Sequence, residues 1–150
     1  MSIINFYESL NIENYNIEFI KENIHLLKVN IDTEKCINIM LQFNNYDKSI
    51  FKIVMLDLLK VNDRWINSDN YVCNFNNIKY MNDRAKFIGS RKDLINLKVE
   101  APPEIILGDK NNIEFVNGRN RFANLRDLGV SHMPFIIHKK EYSKIINSCV

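Results

Sequence analysis

A chain of 150 residues is long enough for one domain, and a domain of this size buries roughly 70% of the surface that its unfolded form exposes, so its core needs no disulfide or metal. With 46% hydrophobic and 25% charged residues the composition is that of an ordinary globular protein. No apolar run approaches the ~20 residues that span a bilayer, and Met1-Ser2-Ile3-Ile4-Asn5 lacks a secretory pattern, so a cytoplasmic protein is expected.

The net charge of +2 hides an asymmetry. Residues 1–48 carry four Lys against seven acids, whereas residues 49–150 carry sixteen basic and eleven acidic groups. That favours an anionic partner for the second part and argues against a nucleic-acid arm in the first. Cys36, Cys73 and Cys149 are odd in number and lack metal-ligand spacing, and His25, His132 and His138 add no zinc pattern. The cysteines read as buried or idle thiols, with no metal site.

In chain order, residues 1–48 read as a mostly helical N-terminal extension. Ile17, Ile20, Ile24 and Leu27 form an apolar stripe at intervals of three to four. A second helix starts at Asp32 or Thr33, with Asp32 as its N-cap and Cys36, Ile39, Met40 and Phe43 on one side. Asn44 to Asp47 reads as a loop and boundary, and residues 49–150 form the main domain. Ile50 to Leu59 reads as a buried strand. Residues 62–83 read as a long loop with one short strand, Tyr71 to Phe75. Trp65, Tyr71 and Phe75 suit core packing better than stacking on a base. Arg84 to Leu97 reads as a helix interrupted by Gly89.

From Pro102 the pattern sharpens. Glu104 to Leu107 and Ile113 to Val116 are short apolar runs joined by the turn cluster Gly108-Asp109-Lys110-Asn111, which predicts a hairpin. After Asn117-Gly118 a helix is expected over Arg119 to Leu128, with Asn120 as a cap and Phe122, Leu125 and Leu128 in the core. Gly129 suits a left-handed C-terminal cap. Pro134 to Ile137 reads as a strand whose proline stands first, where a missing N–H is tolerated. Strand, helix and strand in so short a span point to an α/β or α+β core.

The candidate site is Asn117-Gly118-Arg119-Asn120-Arg121. A glycine between strand and helix lets the backbone turn sharply and approach a ligand. The first helical turn presents N–H groups without internal partners, which suit a phosphate. Arg119 and Arg121 add planar, bidentate donors. The chain has six Arg, and three of them, Arg119, Arg121 and Arg126, fall within eight residues. Arg126 reads instead as a partner for Asp127, Glu114 or helix carbonyls. Asp57, Asp63, Asp69 and Glu104 are weaker candidates for holding Mg2+, and Asp57 and Glu104 for catalysis, because no spacing among them is diagnostic.

The run Phe115 to Ala123, with Leu128-Gly129 and Met133-Pro134-Phe135-Ile136-Ile137, resembles the ParB/sulfiredoxin-like superfamily, most clearly over residues 103–137. The resemblance implies an α+β fold with a small mixed sheet, flanking helices and nucleotide or phosphate binding at the loop. It aligns Gly118 and Arg121 with the family's glycine and phosphate-contacting arginine. It also implies CTP or ATP with Mg2+, and nucleotide hydrolysis or phosphoryl transfer. Departures narrow this. Arg119 stands where sulfiredoxins carry cysteine, Arg119-Asn120 where partition proteins carry Glu-Arg, and Asn124 where those carry alanine. The chain stops soon after its last core strand, so a full partition protein is not expected. Two alternatives stay open. One is a nucleic-acid-binding module or nuclease using the same arginines. The other is a non-catalytic immunity or anti-defence protein whose acidic residues 1–48 meet a protein partner.

Overall fold

A computed structural model describes residues 24–74, 81 and 83–150. Ile17, Ile20 and Phe75, which the sequence reading used, lie outside the described residues. After a short 3-10 turn at Ile24–Lys28, helix α1 spans Thr33–Leu41. Its N-cap is Asp32, whose carboxylate accepts the Lys35 N–H at 3.0 Å, as the sequence suggests. Cys36 and Met40 are its buried positions.

Strand β1 spans Phe51–Asp57 and helix α2 spans Leu58–Trp65. The strand is therefore shorter than the apolar run, and the expected long loop begins with a helix. Asp57 is the reason. Its Oδ1 accepts the N–H groups of Leu59 and Lys60 at 2.9 and 3.1 Å, which starts the helix. Tyr71 to Asn74 form no strand. Helix α3 spans Arg84–Ile95, capped by Asp83. It stops short of Leu97, which takes a left-handed φ of 56° while Lys98 N–H donates to Asp93 O at 2.8 Å. That is the six-to-one closure of a helix C-terminus.

Strands β2 (Glu104–Leu107) and β3 (Ile113–Asn117) form the expected hairpin. Helix α4 spans Arg119–Asp127, β4 spans His132–His138 and α5 spans Tyr142–Cys149. Gly129 closes α4 in the left-handed region at φ 81°, as expected. The strands make one mixed sheet in the order β1-β4-β2-β3. β1 runs antiparallel to β4 from Phe51 opposite His138 to Asp57 opposite His132. β2 runs antiparallel to β3 and parallel to β4. Helix α4 thus carries the chain over β2, from one side of it to the other.

Pro134 is not first in its strand but third, in a strand with neighbours on both sides. Its tolerance has a geometric cause. Leu58 N–H donates to Ser131 O and Lys139 N–H to Ile50 O, so odd positions of β4 bond to β1. Even positions face β2, where Ile136 N–H donates to Pro103 O at 2.9 Å. Pro134 lies two residues earlier, before β2 begins to pair.

One sheet face carries buried Val54, Leu56, Ile105, Ile113, Phe115, Met133, Phe135 and Ile137. Trp65 of α2 is fully buried and meets Phe115 and Phe122 edge-on at 4.6 and 5.5 Å, while Phe122 tilts against Phe135. Trp65 is therefore core. Phe122 and Leu125 are fully buried, but Leu128, the C-cap residue of α4, is only half-buried. Cys36 of α1 donates its thiol to Leu94 O, which joins α1 to α3.

Candidate functional site

The strand β3 does not run straight into α4. Glu104 is opposite Asn117 while Ile105 is opposite Phe115, so Val116 is an extra, bulged residue. The bulge turns Asn117 toward β2, where its Oδ1 accepts the Glu104 N–H at 3.1 Å. Gly118 follows at φ 78°, in the left-handed region. A Cβ there would lie 2.8 Å from Pro103 Cβ and 2.9 Å from its Cα. Two constraints therefore require glycine: the sign of φ and the close approach of Pro103.

Gly118, rather than Asn120, is the N-cap of α4, and no side chain caps this helix. By contrast Asp32, Asp57 and Asp83 each cap their own helix. The residues of its first turn, whose N–H groups have no helical partner, line a cavity of about 440 Å³. Asn117 to Arg121 form one wall, and Lys86, Gly89, Ser90 and Asp93 of α3 form another. Those four recur at helical spacing, which gives α3 a single stripe toward the loop. A smaller cavity of about 150 Å³ shares Arg119 and Asn120 and is lined also by Asp69, Tyr71 and Asp83.

The arginines divide into three roles. Arg119 lines both cavities and has no hydrogen-bond or ion-pair partner among the described residues. Arg121 lines the larger cavity but donates through Nη1 to the Ala101 carbonyl. Burial lowers its pKa from the ordinary guanidinium value, and the Asp93 charge works against that shift. Arg126 is structural. Its Nε meets Asp127 Oδ1 at 2.9 Å, and Nη1 donates to Val72 O at 2.7 Å and Asn62 Oδ1 at 3.0 Å.

The weaker acidic candidates do not gather here. Asp57 is the α2 cap, with His132 Nε2 4.0 Å away, and Asp63 is exposed on α2. Glu104 pairs with Asn117 through its backbone but does not line the larger cavity. Asp69 lines only the smaller one. Among the described residues no three His, Cys, Asp or Glu side chains cluster to hold a metal. The carboxylate that lines the larger cavity is Asp93.

Sequence reading missed the α3 wall. Its signal was a polar stripe, Lys86-Ser90-Asp93, crossing a helix with a glycine inside it. It also missed a buried polar node beneath the site. Asn124 is fully buried and donates to Phe87 O and Asn120 O, both at 3.0 Å, while Arg91, 5% exposed, reaches Asn124 Oδ1 at 3.5 Å. The node ties α3 to the first turns of α4. Comparison with known protein families, characterised proteins and solved structures finds no match. No helix among the described residues is long and apolar enough to cross a membrane.

Proposed function

We propose that this chain is a ParB/sulfiredoxin-like protein that binds a nucleotide or other phosphorylated ligand in the cavity between α3 and the start of α4. The observation that carries the reading is the uncapped α4 N-terminus opening onto a cavity lined by Lys86, Arg119 and Arg121 against one carboxylate, Asp93. Orphan N–H groups at a helix start carry partial positive charge and suit a phosphate. Arg121 adds a physical argument. Among the described residues its guanidinium donates to a neutral carbonyl and feels the Asp93 charge, and an anion in the cavity offsets more of its desolvation cost.

Within this reading Arg119 is the free bidentate donor, Lys86 a point charge, and Arg121 both a strut to Ala101 and a second cation. Hydrolysis of a nucleotide or phosphoryl transfer is the reaction class the resemblance suggests, with CTP or ATP as the nucleotide. Asp93 then replaces Asp57 and Glu104 as the carboxylate in reach of the ligand. With a single carboxylate lining the cavity, any Mg2+ there is held chiefly by the phosphates of the ligand.

A thermal-shift panel of CTP, ATP, GTP, UTP, pyrophosphate and a short DNA duplex, with and without Mg2+, tests the reading. A ligand at 100 times its Kd stabilises the fold by about 2.7 kcal/mol. The expected result is a shift of several degrees with a small phosphorylated ligand, absent in Arg119→Ala. A shift with the duplex alone, falling steeply with salt, favours the nucleic-acid alternative. No shift with any ligand, from a folded protein, favours the non-catalytic interaction protein.

A further inference from the structure

The chain has four glycines, and a left-handed backbone accounts for two of them. Gly118 and Gly129 have positive φ, and Gly108 stands in the hairpin turn, where a Cβ would meet only the movable end of the exposed Glu114 side chain. Gly89 is different. It lies inside α3, where glycine is among the worst helix formers, yet its φ is not positive and a Cβ there would meet nothing within 4 Å. The fold gains nothing from glycine at this position. What the missing Cβ leaves is bare helix backbone in the wall of the cavity, between Lys86 and Asp93 and beside Ser90.

The two walls differ in chemistry. The α4 wall offers backbone N–H groups and guanidinium donors, which suit an anion. The α3 wall has the Lys86 cation at one end, and beyond it a hydroxyl, a carboxylate and a small uncovered patch of backbone, which suit the hydroxyl groups of a compact organic moiety. A carboxylate facing phosphate oxygens is repulsive, whereas one facing hydroxyls accepts hydrogen bonds from them.

Resting on the reading of the cavity as a phosphate site, we infer that Gly89 is a specificity-determining residue. It forms the floor on which the sugar of a phosphorylated sugar lies, with Ser90 and Asp93 as its hydroxyl partners. The sugar phosphate can be free or part of a nucleotide, since both present the same hydroxyl-bearing ring next to an anion.

The test compares pyrophosphate, ribose 5-phosphate and a ribonucleotide by calorimetric titration against wild type, Gly89→Ala and Asp93→Asn. Gly89→Ala is expected to melt a few degrees higher than wild type, because alanine favours the helix. It is expected to bind ribose 5-phosphate about tenfold more weakly while pyrophosphate binding is unchanged. Asp93→Asn is expected to weaken the sugar phosphate and to leave pyrophosphate equal or tighter. Loss confined to the nucleotide, with ribose 5-phosphate unbound by wild type, rejects the sugar floor. So does Gly89→Ala binding both sugar phosphates as wild type does while pyrophosphate still binds, and either result leaves the phosphate site standing. Failure of wild type to bind any of the three probes overturns the phosphate site itself and this inference with it.

Discussion

Gly118 rests directly on Pro103, with no room for a methyl group between them: a Cβ on Gly118 would stand 2.8 Å from Pro103 Cβ. The same Pro103 accepts the Ile136 N–H at 2.9 Å, so the turn that starts α4 is seated on the point where β2 joins β4. Gly118→Ala therefore combines left-handed strain, about 1–2 kcal/mol, with overpacking, about 1–3 kcal/mol. Gly129 shares the positive φ but has open space around its Cβ position. Urea denaturation should show Gly118→Ala losing at least 1 kcal/mol more than Gly129→Ala, and equal losses would contradict the seating on Pro103.

Asn124 is the polar centre between α3 and α4. Asn124→Ala removes its bonds to the carbonyls of Phe87 and Asn120 and the acceptor of Arg91 Nη1, while Arg91 keeps its bonds to the carbonyls of Leu26 and Leu27. The expected cost is about 2–4 kcal/mol, since buried groups lose their partners. Combining it with Arg91→Met should cost less than the two single changes together, with a coupling of about 0.5–3 kcal/mol. Strict additivity in the double-mutant cycle would show that the contact carries no energy.

Much of this architecture was readable from local chemistry. Asp32 announced α1, Gly129 announced the end of α4, and the hairpin followed from two apolar runs and a turn cluster. Readings failed where a single polar side chain overrode an apolar run. Ile50 to Leu59 looks like one strand, but Asp57 turns the backbone into a helix after seven strand residues. Pro134 looked like a strand start because the side toward which its missing N–H would point depends on sheet order, which no local pattern encodes. The α4 half of the site was visible as Gly118 to Arg121. The α3 half was not, because Lys86, Ser90 and Asp93 come together with the loop only through the packing of two helices. Arg121 was visible as a cation, but its bond to Ala101 depends on where the segment before β2 lies.

The hairpin tip carries two left-handed residues without glycine, Lys110 at φ 57° and Asn111 at φ 59°. Arg64 of α2 holds it, with Nε donating to Asn111 O at 3.1 Å and Nη1 reaching Ser148 Oγ of α5. Arg64→Ala should cost about 1–2 kcal/mol. Amide hydrogen exchange is expected to accelerate at residues 108–112 ahead of the sheet. Uniform acceleration across the chain would contradict a local clamp.

Burial raises the Cys36 thiol pKa above its ordinary value, and the Asp32 charge adds to the shift. Burial raises Cys73 as well. The neutral thiols are favoured in the fold, so the unfolded chain gives up its protons first, from about pH 8.5. Their contribution is complete below that pH and lost as pH rises toward the folded values. Between about pH 8 and pH 10, wild type should lose more stability than the Cys36→Ala/Cys73→Ala variant. Equal losses in denaturant midpoint would assign the alkaline sensitivity to other groups.

The backbone N–H groups at the start of α4 are addressed directly by an amide-resolved NMR titration. Pyrophosphate and then a ribonucleotide would be added to the 15N-labelled chain. The largest shifts are expected at the amides of Arg119, Asn120 and Arg121, with smaller ones at Gly89, Ser90 and Asp93, all saturating with one dissociation constant. Shifts centred instead on the separate surface cavity lined by Arg64, Asn111, Lys144 and Ser148, or none at residues 118–121 at saturating ligand, would contradict binding at the start of α4.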